Sequence, residues 1–202
     1  NCKLDRRAMV GELVEYAKVY KENFELDIAE RRLSNTASMS RMNYLIFVLD
    51  GTTLIPYVLY LLFNVADHRE RNAMFEYLEN YIMRRIICKT SNNNYTDLFT
   101  EHLIGRNITN VASLKEYIEN KDSELALSMP HNGRVLNAFL ETDFTNKRAL
   151  GVLYLMESKM RKDSHHSTQL LPYSSYSLEH LMPSKWRRNW ELPSGADEDE
   201  RN

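Results

Sequence analysis

Ser177-Leu178-Glu179-His180-Leu181-Met182-Pro183 sets a carboxylate beside an imidazole, three residues ahead of a proline. A pair of this kind suits phosphodiester hydrolysis, which needs an activated water, a divalent ion to take up developing charge, and orientation of both. A histidine titrates near working pH and can take a proton from water. A carboxylate is a hard oxygen ligand for Mg²⁺ or Mn²⁺. The same two residues also fit ordinary polar side chains at a strand end, and the letters alone leave both readings open. Just downstream, Lys185, Arg187 and Arg188 lie between and beside Trp186 and Trp190. That run suits phosphate contact with aromatic support, or equally a tryptophan-anchored turn with solvated charges. His165-His166 could bind metal, but a histidine pair in a serine-rich loop is more often solvated. Arg84-Arg85 could meet phosphate, although a polar helix face or a buried ion pair is the commoner use. His68, His102 and His131 are scattered and read as packing or surface residues.

The elements that must position these residues are helical. The chain of 202 residues holds only 6 glycines and 5 prolines, which argues against a turn-rich sandwich or barrel. Its 26 basic and 28 acidic residues leave a net charge of −2, so any polyanion must be met by a local basic patch. Met9, Leu13, Tyr16, Tyr20 and Phe24 predict one helix from Leu4 to about Leu33. Met42, Leu45, Ile46 and Leu49 predict a second, ended by Asp50-Gly51. Thr52 or Thr53 is expected to cap a third, apolar nearly all round and therefore central, with Pro56 in its first turn. Asp67 is expected to cap a fourth, with a stripe of Met74, Leu78, Tyr81, Ile82 and Ile86. Shorter helices follow around Leu98–Leu103, Leu114–Ile118 and Val135–Leu140, and a strong last one from Ala149 to Lys162. The texture then changes. Residues 163–175 read as a linker, and Tyr173 to Leu181 as a short β-strand. The expected fold is mainly α: an irregular helical bundle over residues 1–163, then a distinct segment over 164–202.

Tyr176 to Pro183, followed by Trp190, resembles the nuclease start of the GmrSD-type (DUF262/DUF1524) type IV restriction enzymes. Tyr81 to Cys88, with Asn94-Tyr95 and Leu98-Phe99, is similar to that family's paired-arginine helix and following turn. Arg148 to Glu157 is similar to the helix its members carry ahead of the nuclease. The resemblance implies that residues 164–202 open a ββα-metal domain of HNH type. It implies His180 as general base and Glu179 as acidic metal-site residue, with Lys185, Arg187 and Arg188 on DNA. The intact parent would be an Mg²⁺- or Mn²⁺-dependent endonuclease cutting modified DNA in phage defence.

The asparagine- and histidine-bearing part of an HNH site has no counterpart before Asn202, and the ParB-like nucleotide-handling domain is not in the sequence. The chain is therefore expected to be an internal fragment, inactive alone, with any nucleoside triphosphate handled by a domain it does not contain. The competing class is a non-enzymatic helical regulatory or protein-interaction module. Two cysteines, Cys2 and Cys88, give no disulfide framework, and no signal sequence opens the chain, so a cytoplasmic protein is expected. Leu45 to Phe63 is the most apolar stretch. It is broken at Asp50-Gly51-Thr52-Thr53, and neither half approaches the ~20 residues a bilayer needs. The expected partners are DNA, through the parent, and a protein or a second copy.

Overall fold

The computed structural model describes residues 6–119, 127–141, 143–161 and 168–179. Among these it contains eight α-helices and no strand. In chain order they are α1 (Arg6–Asn23), α2 (Met39–Phe47), α3 (Ile55–Asn64), α4 (His68–Ile87), α5 (Tyr95–Asp97), α6 (Val111–Glu119), α7 (Asn132–Glu141) and α8 (Asn146–Met160). A π-helix, Leu98–Ile104, continues α5. None of the described helices is long and apolar enough to cross a membrane.

The predicted first helix divides in two. α1 stops at Asn23, and the chain turns before a 3₁₀ turn at Ile28–Glu30. A partner from elsewhere in the fold fixes that stop: the Asn43 side chain of α2 donates to the Asn23 carbonyl at 2.8 Å, satisfying a carbonyl that a helix end leaves orphaned. The turn lets Phe24, Ile28 and Leu33 enter the core.

The third helix also differs from expectation. Neither Thr52 nor Thr53 caps it; a 3₁₀ turn at Thr52–Leu54 leads directly into α3, with Pro56 in the first turn as predicted. α3 buries one face through Tyr57, Val58 and Leu61, while Phe63 stays exposed and stacks on Tyr16 of α1 at 4.4 Å. The centre belongs to α2 and α4. Six of the nine residues of α2 are buried, and α4 buries ten residues between Met74 and Ile87.

α4 starts as predicted, with Asp67 accepting from the Arg69 amide at 2.9 Å. The sequence places its end at Ser91-Asn92-Asn93-Asn94, and the helix stops just ahead of that run, at Ile87. Lys89 has φ 47°, the Lys89 amide donates to Ile86 O and the Thr90 amide to Arg85 O, which is a Schellman ending with lysine at the left-handed position. The π-helix ends at Ile104 with Gly105 as its C-cap, and Asn107 at φ 55° turns the chain just beyond it. α6 draws two partners at its start: Asn110 accepts from the Ser113 amide, and Glu70 of α4 accepts from the Val111 amide.

Where α2, α4 and α8 meet, Arg41 is fully buried. Its guanidinium grips both carboxylate oxygens of Glu79 at 2.6 and 2.7 Å and also donates to Ser34 O, Leu155 O and Ser158 Oγ. Removing one partner strands the other's charge. Arg41→Met should cost about 3–5 kcal/mol in urea unfolding. Pairing it with Glu79→Leu should recover much of that loss, because no buried charge then remains; equal losses in the single and double variants would refute this account. At Lys89 the expectation has the opposite sign. Lys89→Gly relieves left-handed strain and should raise stability by about 1 kcal/mol in the same assay.

Candidate functional site

Glu179 is the one residue of the predicted catalytic pair that the structure describes; His180, Lys185, Arg187 and Arg188 lie outside the described residues, as do His165 and His166. What the structure shows in detail is how the segment ahead of Glu179 is held. The sequence predicts a strand from Tyr173. The chain instead makes a 3₁₀ turn at Tyr173–Ser175, and residues 176–179 pair with no strand.

The reason lies in four tyrosines. Tyr44 of α2 stacks on Tyr154 of α8 at 5.4 Å, and Tyr173 meets both edge-on at 5.6 and 5.7 Å. Tyr176 adds a tilted contact with Tyr154 at 5.8 Å. Tyr173 and Tyr176 are three residues apart, the spacing at which a 3₁₀ turn puts two side chains on one side. Strand alternation would have sent them to opposite faces. The hydroxyls then fasten the backbone. Tyr154 donates to Leu171 O at 2.9 Å, the Leu171 amide donates to the Tyr176 hydroxyl at 3.0 Å, and Tyr44 donates to Gly151 O at 3.2 Å. Ser174 reaches back to Glu30 at 2.8 Å.

Burial raises the Tyr44 and Tyr154 hydroxyls above the ordinary phenol range, and Tyr173 follows for the same reason. These groups stay protonated through neutral pH, and Tyr44 and Tyr154 serve as donors.

Beyond this clasp the chain runs to the surface. Ser177 donates to Glu179 at 3.3 Å, and the Glu179 carboxylate is exposed. Glu179 by itself offers a single hard oxygen ligand. Among the described residues no three His, Cys, Asp or Glu side chains gather into a metal cluster.

The other histidines serve the fold. His68 Nδ1 accepts from Arg71, His131 Nδ1 accepts from the Arg134 amide at the start of α7, and His102 lies against the Tyr117 ring. The paired arginines have separate tasks. Arg84 donates to Asn80, Pro130 O and Asn132, fastening the start of α7 to α4. Arg85 is buried between the Tyr81 and Tyr95 rings and donates to the Tyr95 hydroxyl, Ser128 O and Ser91 O. The Arg41–Glu79 pair was not foreseen. Its signal was present: Arg41 falls in line with Leu45 and Val48, and Glu79 with Phe75 and Ile82, so opposite charges interrupt two apolar stripes.

A groove of about 830 Å³ opens between α4, α6, α7 and α8, with Met83, Ile87, Phe139 and Met156 in its walls and Lys159–Glu76 at its rim. No family model matches the chain, and neither a curated protein nor a solved structure matches it.

Proposed function

We propose that this chain is the helical body, with the opening of the nuclease domain, of an HNH-type DNA endonuclease in a modification-dependent restriction system. One observation carries most weight: the tyrosine clasp holds the segment that delivers Glu179 to the surface, immediately before His180. A helical body anchoring a catalytic segment meets the need for a precisely positioned acid and base. The resemblance of Tyr176 to Pro183 to the start of such nucleases supplies the reaction class.

In this reading His180 takes the proton from the attacking water. Glu179 contributes one oxygen to a divalent ion, and Ser177 holds that carboxylate in place. The ion, Mg²⁺ or Mn²⁺, when bound supplies stabilisation of the charge that develops on the phosphate. Lys185, Arg187 and Arg188 hold the strand by its backbone. In this reading the protein works in the cytoplasm.

A second reading, a helical module that binds protein, is favoured by the groove between α4 and α8. Leu136, Leu140 and Met160 are exposed among the helices that form it, and methionines adapt to varied partners.

The test is paired. In the longest native form of the protein, His180→Ala should lower metal-dependent cleavage by ~10²–10⁴-fold. Duplex binding and melting temperature should be unchanged. Replacing Lys185, Arg187 and Arg188 together should weaken binding and flatten its salt dependence. The 202-residue chain alone should cut little. Unaltered cleavage by a stable His180→Ala protein would discard the nuclease reading and favour the module.

A further inference from the structure

A second, smaller cavity of about 230 Å³ lies where the ends of α2 and α4 face the start of α8. Clefts for drug-sized ligands run to about 300–1,000 Å³, so this one suits a small group. Its charge is one-sided. Arg85, Lys89 and Arg148 line it, against a single carboxylate, Asp50, which is itself bonded to Lys147 at 3.0 Å. Lys89 and Arg148 are exposed at its mouth, and among the described residues Arg148 makes no hydrogen bond or ion pair. Thr53 and Asn92 add neutral polar residues to the lining.

The backbone gives an independent observation. Among the described residues three non-glycine residues have positive φ, and two of them, Asp50 at 60° and Lys89 at 47°, line this one cavity. Strain of this kind gathers where a side chain is needed at a position the fold would rather give to glycine. At Lys89 the helix ending asks for glycine, and the chain instead places a lysine in the cavity lining, its ammonium 5.9 Å from the centre of the Phe144 ring.

We propose that this cavity binds a phosphate group, held by Lys89 and Arg148 with Asn92 and Thr53 completing its hydrogen bonds. Guanidinium and ammonium donors converging on a small cavity suit a tetrahedral oxyanion, the arginine offering a fork and the lysine a point charge. The group belongs either to a soluble phosphorylated molecule or to a DNA backbone. The inference does not depend on the nuclease reading.

The experiment uses the 202-residue chain with inorganic phosphate as probe, read by thermal shift and calorimetry against chloride at equal ionic strength. Phosphate should raise the melting temperature saturably. Arg148→Gln and Lys89→Gly should each weaken its affinity by about 10-fold or more, the size of one lost charge-assisted hydrogen bond. Arg148→Lys should keep most of it. Lys89→Gly carries its own control, since it should melt higher than the parent without phosphate, so lost binding cannot reflect lost fold. A short DNA duplex forms the second arm. If the two variants also lose duplex affinity beyond the effect of charge measured with Lys18→Gln, a remote exposed lysine, the phosphate is DNA's; if only inorganic phosphate is affected, the ligand is soluble. No saturable phosphate effect, together with duplex binding no weaker in the variants than in that control, would overturn the proposal.

Discussion

Arg41 is the constraint on which the arrangement rests. A guanidinium with no exposure to water must have its donors satisfied inside the protein, because an uncompensated buried charge is far costlier than a lost contact. Its partners are four residues from three segments: Ser34 in a loop, Glu79 in the middle of α4, and Leu155 and Ser158 on α8. Only one relative placement of α2, α4 and α8 meets all of them. Apolar residues of matching volume would hold the helices as tightly, but would tolerate sliding by a turn or a rotation. We read the ion pair as a device for register, purchased at little or no net gain in stability.

Register on α8 then passes outward. Tyr44 sits one turn along α2 from Arg41 and reaches Gly151 O on α8. A Cβ at Gly151 would lie 2.5 Å from Cδ2 of Leu49, just past the end of α2, so any larger residue at 151 would make the Leu49 side chain shift. Glycine inside a helix costs about 1 kcal/mol relative to alanine, which close packing must offset. Tyr154, one turn further, holds Leu171, Tyr173 and Tyr176, and through them the path to Glu179. Burial keeps these phenols neutral, so the clasp does not loosen across the pH range in which a histidine changes charge.

What was legible in the sequence was what local rules govern. Asp67 as a cap, the stripe on α4 and the succession of helices follow from 3.6-residue periodicity and side-chain capping, which need only near neighbours. What escaped depended on partners distant in the chain. The break after Asn23 is set by Asn43, and the turn at Tyr173 by tyrosines more than a hundred residues apart, Tyr44 among them. Lys89 escaped for another reason: glycine is the usual mark of its conformation, and a lysine there carries no such mark. At the candidate site, Glu179 and His180 stood out as residue types. The Arg41–Glu79 pair did not, because a charge within a helical segment ordinarily faces water.

The stripe Arg148, Gly151, Tyr154, Leu155 and Ser158 runs at spacings of three and four and therefore lies along one side of α8. Arg148 stands at the mouth of the cationic cavity, Gly151 and Tyr154 form the clasp, and Leu155 and Ser158 receive the buried guanidinium. A rotation of α8 about its axis moves all of them together. Lys147, beside Arg148, is tied to Asp50, which also lines the cavity, and the charges of Lys147 and Asp50 both act on the Tyr173 hydroxyl. The two ends of the stripe are thus joined through a rigid helix whose far end Arg41 fixes. A phosphate at Lys89 and Arg148 would be felt first at the α8 start and at Tyr173, the residue that begins the path to Glu179.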